Sequence, residues 1–153
     1  MANTYTQVYV HIVFAVKGRQ NLIRPDWKEE LQKYISGIVR NGKQKMVAIN
    51  CMPDHVHMLV SLKTDMALAD LVRDVKANSS RLIDEKGWIR GRFCWQEGFG
   101  AFSRSQEELA RVVSYIQNQE QHHAKRAFVD EYLEMLTEFQ VEFDKRYIFT
   151  RTD

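Results

Sequence analysis

The spacing of apolar positions changes several times along the chain, and each change marks an element. Tyr5 to Val16 is a nearly unbroken run of β-branched and aromatic residues and predicts a long strand. Pro25 and Asp26 then open a helix, in which Trp27, Leu31, Tyr34, Ile35, Ile38 and Val39 recur at helical spacing as far as Gly42. Lys45 to Cys51 (KMVAINC) and His55 to Leu62 (HVHMLVSL) predict two further strands. Only Met52-Pro53-Asp54 separates them, which favours an antiparallel hairpin. Thr64 or Asp65 is placed to cap the next helix, with Leu68, Leu71, Val72, Val75, Leu82 and Ile83 as its buried stripe and Gly87 as its end. Trp88 to Ser103 mixes aromatics with glycines and reads as one or two strands around a turn. Ser105 and Glu108 form a capping box for a helix running to about His123, and a last helix covers roughly Val129 to Thr137. An irregular basic-aromatic end, Lys145-Arg146-Tyr147, follows. The order β-α-β-β-α-β, then helices, matches an α+β, ferredoxin-like split-βαβ antiparallel sheet with helices on one face and a further helix after it.

Composition narrows the class without naming a function. At 153 residues, 44% hydrophobic and 27% charged, the chain has one domain's worth of core and neither the bias of a disordered segment nor an apolar run long enough to cross a bilayer. No secretory signal is visible at the N-terminus, so the expected localisation is cytoplasmic, with no membrane partner. Cys51 and Cys94 are too few for a disulfide scaffold and read as buried thiols of a reducing compartment. Charge is uneven along the chain. Residues 1–104 carry 16 Lys and Arg against 10 Asp and Glu, whereas residues 105–153 carry 6 against 10. A basic longer part can present one face to a polyanion.

Candidate chemistry lies in two places. On a strand, His55 and His57 project from one face while Val56, Met58 and Val60 project from the other, so the two imidazoles are placed to chelate one divalent metal. Asp54 is placed to support them as an outer partner. On the helix from Ser105, Leu109, Val112, Val113 and Ile116 form the core stripe, and Tyr115, Gln119 and His122 share one shoulder of it. Together these residues suggest phosphoryl chemistry. A phenol can attack a phosphodiester and hold it as a phosphotyrosine ester, while a metal on the histidines polarises the phosphate, with Gln119 able to supply an oxygen ligand.

At this point a family resemblance becomes visible. Asp54-His55-Val56-His57 followed by Met58-Leu59-Val60 resembles the His-hydrophobic-His signature of the HUH endonucleases. Phe93–Ser103 (FCWQEGFGAFS) and Tyr115–His123 (YIQNQEQHH) resemble the second half of the single-tyrosine, IS200-like HUH transposases of the smallest bacterial insertion sequences. Tyr5–Lys17 and Lys76–Leu82 (KANSSRL) resemble their first strand and the helix after the metal strand. The resemblance implies a metal-dependent single-stranded DNA transposase on an HUH palm. In it Tyr115 is the nucleophile, leaving a 5′-phosphotyrosine and a free 3′-OH. His55, His57 and Gln119 would bind Mg²⁺ or Mn²⁺. The implied partners are single-stranded DNA with subterminal hairpins and a second copy of the chain, in a family whose sites can combine the His pair of one subunit with the tyrosine helix of the other. DNA contacts are expected from Lys17, Arg19, Lys76, Arg81, Arg90, Arg92 and Arg104; the aromatics of Trp88–Phe102 offer faces on which unpaired bases can stack, but most of them read as core. His122 is a further candidate around the site, as proton shuttle or alternative ligand.

Two other readings compete. Histidine-triad hydrolases also set histidines on alternate strand positions, but they need a third on the same face, and that slot is Leu59. A domesticated, transposase-derived protein that binds or nicks hairpins without moving an element would keep the same four residues.

Overall fold

The computed structural model describes residues 3–123 and 127–148, without the side chains of His122, His123 and Lys145. Four strands, β1 (Tyr9–Ala15), β2 (Lys45–Met52), β3 (His55–Ser61) and β4 (Gly100–Arg104), form one antiparallel sheet in the order β2-β3-β1-β4. β3 fills the slot between β1 and β2, which is the split-βαβ arrangement. The first strand is shorter than the run from Tyr5 suggests.

Helices α1 (Pro25–Asn41) and α2 (Leu68–Lys86) cover one face. Val10, Ile12 and Phe14 of β1 and Val56, Met58 and Val60 of β3 pack there against Leu31 and Ile35 of α1 and Leu71 and Val75 of α2. α2 starts later than its sequence suggests. Its N-cap is Ala67, which offers no capping side chain, and neither Thr64 nor Asp65 holds that position. Gly87 ends the helix in the left-handed region at φ 64°, with Trp88 N–H donating to Ile83 O in a Schellman arrangement.

The opposite face is covered too, so the fold has three layers. α3 (Leu109–Gln117) lies over β2 and β3 through Val112 and Ile116, and α5 (Phe128–Glu138) lies over β1 and β4 through Phe128, Tyr132, Met135 and Leu136. With both faces buried, β1 has no polar alternation to show. The single helix expected from Ser105 is divided. The capping box is present, a 3₁₀ turn spans Gln106–Glu108, and Asn118 separates α3 from the short α4 (Gln119–His123).

Trp88–Phe99 is not a pair of strands. Apart from one bridge between Val16 and Trp95, β-structure begins only at Gly100. Positive φ at Gly91 and Gly98 breaks the extended path. Side chains of α2 take over the backbone's hydrogen bonds: Phe93 N–H donates to Asp84, and Lys76 Nζ donates to the carbonyls of Gln96 and Gly98. Phe93 and Trp95 are core residues and Trp88 stacks on Trp27 at 4.7 Å, so these three rings pack within the protein instead of facing unpaired bases.

Candidate active site

β3 places His55 and His57 on the face beneath α3 and α5, both essentially fully buried. Each imidazole is held from outside. His55 Nδ1 lies 2.7 Å from Asp54 Oδ1. Burial would raise the Asp54 pKa, but the hydrogen bond and charge of His55 and the charge of Arg19 outweigh it and hold the carboxyl below the usual aspartate range. It therefore accepts from Nδ1–H, and in the neutral imidazole Nε2 is then the nitrogen with the lone pair. His57 Nδ1 is 2.9 Å from Nε2 of His11, and its own Nε2 is 3.0 Å from Oε1 of Glu131. Burial, then repulsion from His57 and Arg104, pushes His11 well below the ordinary histidine value, so this ring is neutral.

The ligand atoms of His55, His57 and Glu131 all lie within 4.8 Å of one another, and all three residues are buried. Two imidazoles and a carboxylate at that spacing fit a divalent ion, the carboxylate oxygen suiting a hard one. Glu131 reaches the pair because α5 docks through its apolar residues. Phe128, one turn earlier on the same helix face, stacks on His55 with centroids 3.9 Å apart.

Tyr115 on α3 stands edge-on to both rings of the histidine pair across β1 and β3, with centroids 5.9 Å from His57 and 6.4 Å from His11. It lines a cleft of about 590 Å³ between α3 and α5, together with Arg104, Asn118 and Glu131. The phenol and the histidine pair thus meet within one chain. Gln119, buried at the start of α4, donates from Nε2 to the Tyr115 carbonyl at 3.3 Å. Asn50, opposite His57 on β2, donates to Ile116 O at 2.9 Å and to Glu120 at 3.3 Å, tying α3 and α4 to the sheet. It faces the site because a bulge between Met46 and Ala48 shifts the register of β2 by one residue, which exchanges its faces.

Residues 4–119 match the family profile described as "Transposase IS200 like". The chain belongs to the IS200-like transposases. This transposase is 26% identical over 120 residues to the ISDra2 transposase TnpA of Deinococcus radiodurans, covering 74% of this chain and 84% of that one. It is 23% identical over 124 residues to the transposase for insertion sequence element IS200 of Salmonella typhimurium, covering 78% and 81%. Two solved structures share the fold, each with a TM-score of 0.61. One is a Deinococcus radiodurans protein assigned as a transposase (22% identity, 76% of this chain and 94% of that one). The other is a REP-associated tyrosine transposase bound to a REP hairpin (17% identity, 79% and 72%). The family match stops at Gln119, so α5 and Glu131 lie beyond it.

The basic residues divide into two sets. Arg19 is buried beside Asp54 and over the Phe128 ring. Lys76 is committed to the carbonyls of Gln96 and Gly98, and burial lowers its pKa to about 8. Arg104 pairs with Glu108 and lies over Phe139. These three are fastened within the fold, whereas Lys17, Arg81, Arg90 and Arg92 are exposed. The His122 side chain falls outside the described residues. Cys51 is buried, its thiol pushed by burial up to about 12, but Cys94 is exposed on the Trp88–Phe99 segment, contrary to the reading of two buried thiols. Among the described residues no helix is long and apolar enough to cross a membrane.

Sequence reasoning missed His11, Glu131 and Asn50. His11 is hidden in an apolar run, Glu131 sits in an acidic stretch resembling a solvated helix face, and Asn50 depends on the bulge. The lone polar residue inside Val8–Val16 was the one available signal.

Proposed function

We propose that this transposase cuts and rejoins single-stranded DNA through Tyr115. The phenol oxygen attacks the scissile phosphorus, the bond from phosphorus to the 3′ oxygen breaks, and the leaving oxygen takes up a proton as a free 3′-OH. The 5′ end stays on the enzyme as a phosphotyrosine ester, which conserves the bond energy for attack by another 3′-OH. The observation that carries this reading is Tyr115 lining the cleft with its ring centroid 5.9 Å from that of His57.

His55 and His57 are the metal-binding pair, for Mg²⁺ or Mn²⁺. The oxygen ligand that the family resemblance supplies is Gln119. A bound divalent ion would polarise the phosphate and offset its developing charge. Asp54 and His11 orient the two imidazoles, and Asn50 holds the Tyr115 helix against β2. The DNA substrate would carry hairpins near the element ends, with Lys17, Arg81, Arg90 and Arg92 meeting its phosphates and two copies of the chain acting together.

The test uses end-labelled single-stranded oligonucleotides from both flanks of the gene, with Mg²⁺ or Mn²⁺, resolved on denaturing gels before and after protease. A metal-dependent covalent adduct on the single strand, missing in Tyr115→Phe, supports strand transfer. Hairpin binding without a cut or adduct on either flank would move the reading to a domesticated binding protein.

A further inference from the structure

We infer that Glu131 supplies the metal's oxygen ligand, so that helix α5, beyond the family-matched residues, closes the metal centre. The inference rests on the proposed metal-dependent reading and deepens it. Two neutral imidazoles alone form a poor site for a hard ion such as Mg²⁺ or Mn²⁺, which favours charged oxygen. Among the described residues Glu131 is the carboxylate that joins His55 and His57 with all ligand atoms within 4.8 Å. Its Oε1 already faces His57 Nε2 at 3.0 Å, so an ion would replace the proton shared between them. Gln119 stands differently: its amide nitrogen donates to the carbonyl of Tyr115, tying α4 to the last turn of α3, and its amide oxygen would bring no negative charge to a hard ion.

The rest of α5 is built to deliver this carboxylate. Phe128 stacks on His55, and Tyr132 and Met135 pack with Val13, Ala15 and Phe102 of the sheet. Tyr132 also lies against Gly100, where a Cβ would sit 2.7 Å from its ring. Since the ligand and this apolar face share one helix, binding the ion and docking α5 stabilise each other. The ion therefore reports on the position of α5, which also forms one wall of the Tyr115 cleft.

The experiment titrates Mn²⁺ into the full chain by electron paramagnetic resonance and follows amide exchange along α5 with and without Mg²⁺. Glu131→Gln, close in shape, should weaken Mn²⁺ binding more than about 100-fold, beyond the roughly 10- to 100-fold that loss of an outer partner costs. Gln119→Ala should change it less than about threefold, below that same scale. Mg²⁺ should slow exchange in α5 of the wild type and not of Glu131→Gln. A circular dichroism melt of each variant establishes that it is folded, and Glu131→Asp serves as a second variant, expected to retain part of the affinity. Unchanged binding in folded Glu131→Gln, or loss in Gln119→Ala alone, overturns the inference. Wild-type protein that binds Mn²⁺ through Glu131 but makes no adduct would sink strand transfer and leave this site standing. Cleavage with unchanged binding in Glu131→Gln would do the reverse.

Discussion

His11 Nε2 lies 2.9 Å from Nδ1 of His57, in the buried interior, across 46 positions of sequence. That contact sets which nitrogen of His57 faces Glu131, because the hydrogen bond made by one ring nitrogen decides the role of the other. His11 lies in the middle of β1, between strands β3 and β4, and cannot move without moving the sheet.

Replacing His11 by Leu should therefore act on metal binding and on stability together. Leaving His57 Nδ1 buried without a partner costs about 1–3 kcal/mol, and removing an outer partner of a metal histidine lowers affinity about 10- to 100-fold. Urea unfolding and Mn²⁺ titration measure the two. His11→Gln, which can still hydrogen bond, should recover part of both, and a Leu variant with wild-type affinity would show that His11 is only packing.

Tyr115→Phe removes one oxygen from a residue only partly buried, so it should melt like the wild type and bind hairpin DNA normally. Adduct formation should fall at least about 10³-fold, as expected when a covalent nucleophile is lost. Gel shift and denaturing gels on the same preparation separate the two effects. Adduct formed by the Phe variant would locate the nucleophile elsewhere.

Gly100 is a test of how α5 is seated. A Cβ there would approach the Tyr132 ring and hydroxyl to 2.7 Å, and α5 would have to shift outward. Gly100→Ala should cost about 1–3 kcal/mol, the range of overpacking, and loosen the Glu131 end of the site. Tyr132→Leu in the same chain should relieve part of that loss, which a double-mutant cycle by urea denaturation would detect.

Glu108 links acid stability to the helix that carries Tyr115. The Ser105 backbone N–H, followed by Arg104, holds its carboxyl below the usual glutamate range, and Ser105 Oγ accepts from Glu108 N–H in return. A folded-state pKa that is depressed gives stability that is present above the unfolded value, near 4.3, and is lost as pH falls through the folded one. Urea midpoints of wild type and Glu108→Gln should thus differ at pH 7 and converge as pH falls through the folded value. Ser105→Ala should cost roughly 1 kcal/mol at neutral pH.

The two cysteines give a simpler check of the core. Cys94 is exposed and Cys51 is buried with its thiol raised to about 12, so one thiol per chain should react with a disulfide reagent in the native state. Denaturant should release the second. Two fast thiols without denaturant would contradict the packing of β2 against α1.

Local periodicity determined much of this transposase. Alternation along HVHMLVSL puts His55 and His57 on one face, because side chains of a strand reverse at every residue. The 3.6-residue stripe of Val112 and Ile116 sets Tyr115 at the edge of the core, and the Ser105–Glu108 capping box marks where its helix begins. The strand-helix order carries the sheet topology. What tertiary structure alone decided is the company the histidines keep. His11 shows no polar alternation because both faces of β1 are buried. Asn50 turns inward through a bulge, and Glu131 reaches His57 across 74 residues by the docking of α5. The partners of the basic residues Arg19, Lys76 and Arg104 also come from packing: Asp54, backbone carbonyls and Glu108 hold them, and Arg104 lines the Tyr115 cleft. Sequence spacing constrains a side chain's direction within its own element; which groups meet between elements follows from packing, where burial leaves a polar group stable only beside a partner.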